Sequence, residues 1–142
     1  MALEVATLGT LSKMYENLQM TPSKKAVSRH FGLGHPDILE SWMRTFSHIR
    51  NISAHHGRLW NRQITLTPIL PKRPSDGWLH NGSAPDGRKL YATLCCIRYF
   101  LNRISPGNSL TYKIKNLIAF YPGINLKSIG FTSDWEKEPV WL

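Results

Sequence analysis

36-PDILESWMRTFSHIRNISAHHG-57 is the longest periodic run in the chain. Ile38, Leu39, Trp42, Met43, Phe46, Ile49 and Ile52 recur at spacings of three and four, which predicts an amphipathic helix with one face in the core. Pro36 suits a first turn, and Gly57 suits the break after about His56. The polar side of the same run is unusual. From Phe46 to Arg62 the chain holds three arginines, three histidines and two asparagines. A solvated basic helix end is the plain reading of that cluster. A site that handles RNA phosphates is the sharper one.

A helical wheel separates the two sides. With Ile38 at zero, the apolar stripe centres near about 60°, and Arg50 falls near about 120°, at its border. Ala54 sits near about 160°, Asn51 near about 220° and His55 near about 260°. Arg50, Asn51 and His55 thus share the polar arc, with a small residue between them. His56 returns to about 0°, the edge of the stripe, which predicts packing or a buried hydrogen bond for it. Arg50 and His55 diverge by about 140°, so one helix does not join their tips; a second copy across a two-fold axis does.

These residue types carry a definite chemistry. An imidazole can accept or donate a proton at neutral pH. A guanidinium offers a planar, permanently charged fork to phosphate oxygens. RNA brings its own nucleophile, the 2′-OH, and its attack on phosphorus builds negative charge that arginine stabilises. No metal and no cofactor is needed for that step, and DNA, lacking the hydroxyl, is spared. A zinc site from His48, His55 and His56 is the weaker alternative, because no cysteine or carboxylate completes it.

Working outward, Leu3, Leu8, Leu11, Met14, Tyr15 and Leu18 predict a first helix over Met1 to Gln19, uncapped at its start. Thr21 and Pro22 predict a second helix, stopped by Gly32, with Lys24, Lys25 and Arg29 on an exposed face that can border RNA. Ile64 to Leu70 predicts an extended tether or short edge strand, given Pro68 and Pro71. Pro71 to Arg88 is a long loop rich in Pro, Gly, Ser and Asp. Leu90 to Ile104 is a fourth helix; Asn108 or Ser109 starts a fifth, which runs to about Tyr121. The tail predicts one or two helical turns near Asp134 to Glu138, with Trp135 and Trp141 tucked inward. Trp60 is read as a core anchor, and Arg58 and Arg62 beside it as phosphate contacts. The expected fold is all-α: one domain over residues 1–142, a bundle of about five helices with loop 71–88 inside it.

Composition narrows the partner. The chain has 142 residues, 18 Lys+Arg and 9 Asp+Glu, for a net charge of +9. That favours a polyanion, nucleic acid before an acidic membrane or protein. No apolar run approaches the roughly 20 residues that span a bilayer, and no basic segment precedes the N-terminal apolar stretch as in a secretory signal. A cytoplasmic chain without a membrane partner is expected. Adjacent Cys95 and Cys96 make a poor disulfide or metal clip and are read as core thiols.

The residues Arg50-Asn51-Ile52-Ser53-Ala54-His55 resemble the R-x4-6-H motif of HEPN-domain ribonucleases, in which a polar residue often follows the arginine. The wider string SWMRTFSHIRNISAHHGRLWNR, with LGTLSKMYENL upstream, resembles the Abi-like (abortive infection, AbiD/AbiF-type) family of bacterial phage-defence proteins. The resemblance implies a HEPN-like helical fold and a homodimer with a composite site. It implies metal-independent RNA cleavage to a 2′,3′-cyclic phosphate, with Arg50 and His55 as the motif pair and Asn51 as their polar companion. A role in phage defence or toxin–antitoxin biology is implied too, with RNA as substrate or bound small RNA and the antitoxin unidentified. Members run longer, and MALEVATLGTLSKMYENL resembles the middle of one, so the chain is similar to a C-terminal half. A non-catalytic RNA-binding module, or an inactive fragment, is the alternative.

Overall fold

Each helix begins where a polar group or a proline meets an amphipathic run. In the computed structural model, which describes residues 6–72, 77–80 and 83–142, α1 spans Leu8–Asn17, α2 Pro22–His30 and α3 Pro36–Ala54. Helices α4 and α5 span Leu90–Ile104 and Leu110–Phe120. Three 3-10 turns close the chain at Leu126–Ile129, Trp135–Lys137 and Pro139–Trp141. Among the described residues there is no strand. The segment 64–70 is a tether strapped along α3: Trp42 Nε1 donates to the Ile69 carbonyl at 2.8 Å, and Thr45 Oγ1 to the Leu66 carbonyl at 3.0 Å. Side chains of α3 take the place of a partner strand.

The starts and stops follow from local chemistry. Thr21 Oγ1 accepts from Lys24 N–H, and Pro22 occupies the first turn of α2. Gly32, at φ 68°, stops α2 as Leu33 N–H reaches back to the Ser28 carbonyl at 3.0 Å. The first helix differs from expectation. It starts at Leu8, not Met1, because Thr7 is extended and its hydroxyl accepts from Thr10 N–H at 3.1 Å; residues 1–5 of the expected helix lie outside the described residues. At α5 the cap comes from Asn108, whose Oδ1 accepts from Leu110 N–H at 3.3 Å, while Ser109 makes no side-chain cap.

Helices α1, α2 and α4 all pack against α3: Lys24 of α2 meets Glu40, and Tyr99 and Phe100 of α4 meet the apolar face at Trp42 and Phe46. The core is aromatic. Trp42 is fully buried, stacks on Trp78 at 5.6 Å and meets Tyr99 edge-on at 5.7 Å. A second cluster joins the tail to α4, with Tyr91 against Phe131 at 4.5 Å and Trp135 edge-on to Trp141 at 5.3 Å. Such ring pairs add about 0.5–1.5 kcal/mol each beyond their buried area. The expected tuck of Trp135 and Trp141 is therefore present, and Trp60 packs half-buried against the core. Cys95 and Cys96 are both buried and unpaired with each other.

The long loop is anchored where it is described. Trp78 and Leu79 are buried, and Val140 N–H donates to the Trp78 carbonyl at 3.0 Å. The buried Glu138 carboxylate accepts from His80 N–H at 2.7 Å, meets His80 Nδ1 at 2.9 Å, and accepts from Ser83 Oγ. Burial pushes that carboxyl up, but the donors from Ser83 and His80 outweigh it and hold Glu138 below its ordinary value. Buried Arg98 fastens the other side, donating to Asn108 Oδ1 at 2.6 Å and to the Val140 carbonyl at 3.2 Å.

Candidate active site

The end of α3 sets the site, and its geometry depends on Ile52 to Gly57. His55 is the cap, with its N–H on the Asn51 carbonyl at 3.0 Å. His56 then turns left-handed at φ 55°, its N–H reaching the Ser53 carbonyl at 3.2 Å. Gly57 N–H closes the turn onto the Ile52 carbonyl at 2.7 Å. This double reach-back is a Schellman stop. Glycine usually takes the left-handed position; here histidine does, and the glycine follows. Gly57 is required for another reason: a Cβ there would sit 2.7 Å from Ile52 Cγ2 and 2.8 Å from the Ile52 carbonyl oxygen.

His56 is therefore not the buried neighbour that the wheel predicts. The helix ends at Ala54, two residues before His56, so the wheel angle does not apply to it, and the left-handed turn leaves His56 exposed. Arg50, Asn51 and His55 are exposed as well. Arg50 Nη1 donates to Asn51 Oδ1 at 3.2 Å, so the arginine leans from the stripe's border toward the polar arc. Among the described residues, no hydrogen bond joins Arg50 to His55. Within one chain the arginine bonds to the asparagine and not to the histidine.

The other expected RNA contacts divide. Arg58, Arg62 and Lys25 are exposed. Lys24 is not on that face. It is 4% exposed, ion-paired with Glu40 at 2.5 Å, and it donates to the Glu16 and Leu18 carbonyls at 3.1 and 2.9 Å. Its ammonium closes the end of α1 and sits 5.3 Å from the Tyr15 ring centre. Adjacent lysines on a helix point about 100° apart, so Lys25 meets solvent while Lys24 meets the α1–α3 junction.

Two residues missed by the motif reading stand beside the site. Arg44, His48, Asn51 and His55 follow one another by four, three and four, near about 240°, 280°, 220° and 260° on the wheel. They form one polar row. Arg44, His48 and Asn51 line a cleft of about 390 Å³ whose opposite wall is α1, with Lys13 and Glu16. The helices come close at its end, where a Cβ on Gly9 would lie 3.1 Å from Ser47 Oγ. The signal available beforehand was the polar period along α3 set against Lys13 and Glu16 of α1, and it needs the helix pairing to be read. Among the described residues no group of three His, Cys, Asp or Glu side chains is placed to hold a metal ion, and no helix is long and apolar enough to cross a membrane.

No curated protein and no solved structure matches the chain. Residues 1–61 match the family model described as Abi-like protein. That stretch holds α1, α2, the whole of α3 and its Schellman stop, and so every residue from Arg44 to Arg58 named above. Over residues 1–61, then, the chain is similar to the Abi-like family.

Proposed function

We propose that the chain is a metal-independent endoribonuclease of the HEPN type, acting in bacterial abortive infection against phage. The observation that carries this reading is the display of Arg50, Asn51 and His55 on the open side of a helix whose other side is core. The similarity of residues 1–61 to the Abi-like family supports the defence role. The +9 charge supports a polyanionic substrate.

In the proposed reaction a 2′-hydroxyl oxygen attacks the adjacent phosphorus. The 2′-O–P bond forms, the P–O5′ bond breaks, and the products carry a 2′,3′-cyclic phosphate and a 5′-hydroxyl. His55 takes the proton from the 2′-OH. A second imidazolium delivers one to the leaving 5′-oxygen. Arg50 donates to the non-bridging oxygens as charge builds on phosphorus, and Asn51 holds Arg50 in place. Because no hydrogen bond among the described residues joins Arg50 to His55 within one chain, and their helix angles diverge by about 140°, the working unit is a homodimer in which two copies of the α3 end face one another and pool both pairs.

The test is cleavage of mixed single-stranded RNA in EDTA by wild type, Arg50→Ala and His55→Ala. Wild type yields cyclic-phosphate ends, and each variant loses at least about a hundredfold in rate, the scale of one acid–base or charge-stabilising group. Equal cleavage by all three overturns the reading. Salt-sensitive RNA binding with no product favours the non-catalytic RNA-binding reading, which the separation of Arg50 and His55 within one chain also suits.

A further inference from the structure

Apart from Asn51, the residues lining the cleft between α1 and α3 have no role in the proton and charge chemistry just described, yet the cleft opens along the same polar row. Lys13 projects from α1 and Arg44 from α3, with His48 and Asn51 continuing toward the α3 end. Its volume of about 390 Å³ lies within the range of small-ligand sites, roughly 300–1,000 Å³. Leu66, 40% exposed, supplies an apolar lip. One carboxylate interrupts the basic character. Glu16 lies 3.8 Å from Arg44, and both side chains are substantially exposed, at 37% and 51%. A pair that long and that wet is weak, so a phosphate can displace the carboxylate from the guanidinium.

We propose that this cleft holds the backbone of the RNA strand next to the cleaved bond. Lys13 and Arg44 take phosphate oxygens, and His48 hydrogen-bonds the ribose or phosphate between them. The sugar or base packs on Leu66. Glu16 acts as a placeholder that occupies Arg44 until RNA arrives. Asn51 links the two regions, since it lines the cleft and also accepts from Arg50. The row from Arg44 to His55 is about 16 Å long at 1.5 Å per residue, enough for a short run of nucleotides. This inference rests on the ribonuclease reading for the identity of the strand. It goes beyond that reading in assigning a binding subsite to residues outside the motif.

The experiment uses a fully 2′-O-methylated RNA oligonucleotide, which lacks the nucleophile, so binding is read without cleavage. Fluorescence anisotropy over a salt series gives affinity and slope. The double variant Lys13→Ala/Arg44→Ala is expected to bind at least about tenfold more weakly, with the salt slope reduced by about 1.4 for two lost phosphate contacts on a single strand. Glu16→Gln is expected to bind more tightly than wild type, a gain that a misfolded variant does not produce. Lys127→Ala, on an exposed 3-10 residue outside the cleft, serves as the charge control. Equal loss in control and double variant, or no tightening in Glu16→Gln, overturns the proposal. If unmodified RNA is cut in an Arg50- and His55-dependent way while the double variant binds and cuts as wild type, the subsite falls and the ribonuclease reading stands. If the cleft variants change binding as expected but no RNA is ever cut, the subsite stands and the ribonuclease reading falls.

Discussion

His56 carries backbone strain in a place where the neighbouring residue carries the proposed chemistry. A left-handed non-glycine residue costs about 1–2 kcal/mol, and glycine relieves that cost at the expense of a floppier unfolded chain. His56→Gly is therefore expected to raise stability by about 0.5 kcal/mol. Gly57→Ala is expected to lower stability by about 1–3 kcal/mol, because its Cβ overlaps Ile52, which must then shift. Thermal melts of the two variants, scored together, check the assigned stop; melting points that move the same way contradict it. His55 shows what a residue-level reading can and cannot do. Its type, its spacing from Arg50 and its divergence from it on the wheel were legible in the chain; the exposure of His56 next to it was not, because the turn beyond Ala54 departs from the wheel.

Lys24 belongs to the scale of elements, where α1, α2 and α3 meet. Its pairing with Glu40 and its two bonds to α1 carbonyls make it a buried strut. Removing one partner of such a pair strands the other. Lys24→Ala is expected to cost about 3–5 kcal/mol in chemical denaturation, whereas Lys25→Ala changes stability by less than about 0.5 kcal/mol. Equal effects would contradict the different positions of these adjacent lysines. The two were indistinguishable in the sequence, since nothing local says which of two adjacent lysines meets the neighbouring helix. The first helix taught a similar lesson. Leu3 extends the apolar stripe toward Met1, but the Thr7 hydroxyl, a local signal present in the chain, fixes the start at Leu8.

Glu138 acts on the whole molecule, since it ties the loop at residues 80 and 83 to the C-terminal turns over the α4 core. Its carboxyl is held below its ordinary value, so its contribution is fully present above the unfolded value near about 4.3 and is lost as pH falls through the folded value. The wild type is expected to lose more melting temperature between pH 6 and pH 3 than Glu138→Gln, which lacks this titration; equal pH profiles would contradict the role. The thiols report on the same core. Burial pushes Cys95 up to about 12 and Cys96 well above the ordinary thiol value, so neither should react with a thiol reagent until the chain unfolds. Fast labelling of the native protein would count against the packing of α4.

Periodicity, prolines and caps along the chain were enough for the helices and for the core face of α3, because those signals act over three or four residues. The motif residues and the basic balance were enough to nominate RNA chemistry, because side-chain type carries that information. Only the tertiary structure decided that Lys24 is internal, that His56 is exposed and strained, that Glu138 pins the loop, and that α1 and α3 enclose a basic cleft. The positions of Lys24, Glu138 and the cleft depend on which segments face one another, a relation between residues too far apart in sequence for any local rule to join; the His56 turn is local, but it is a departure from helix geometry that an ideal wheel does not contain.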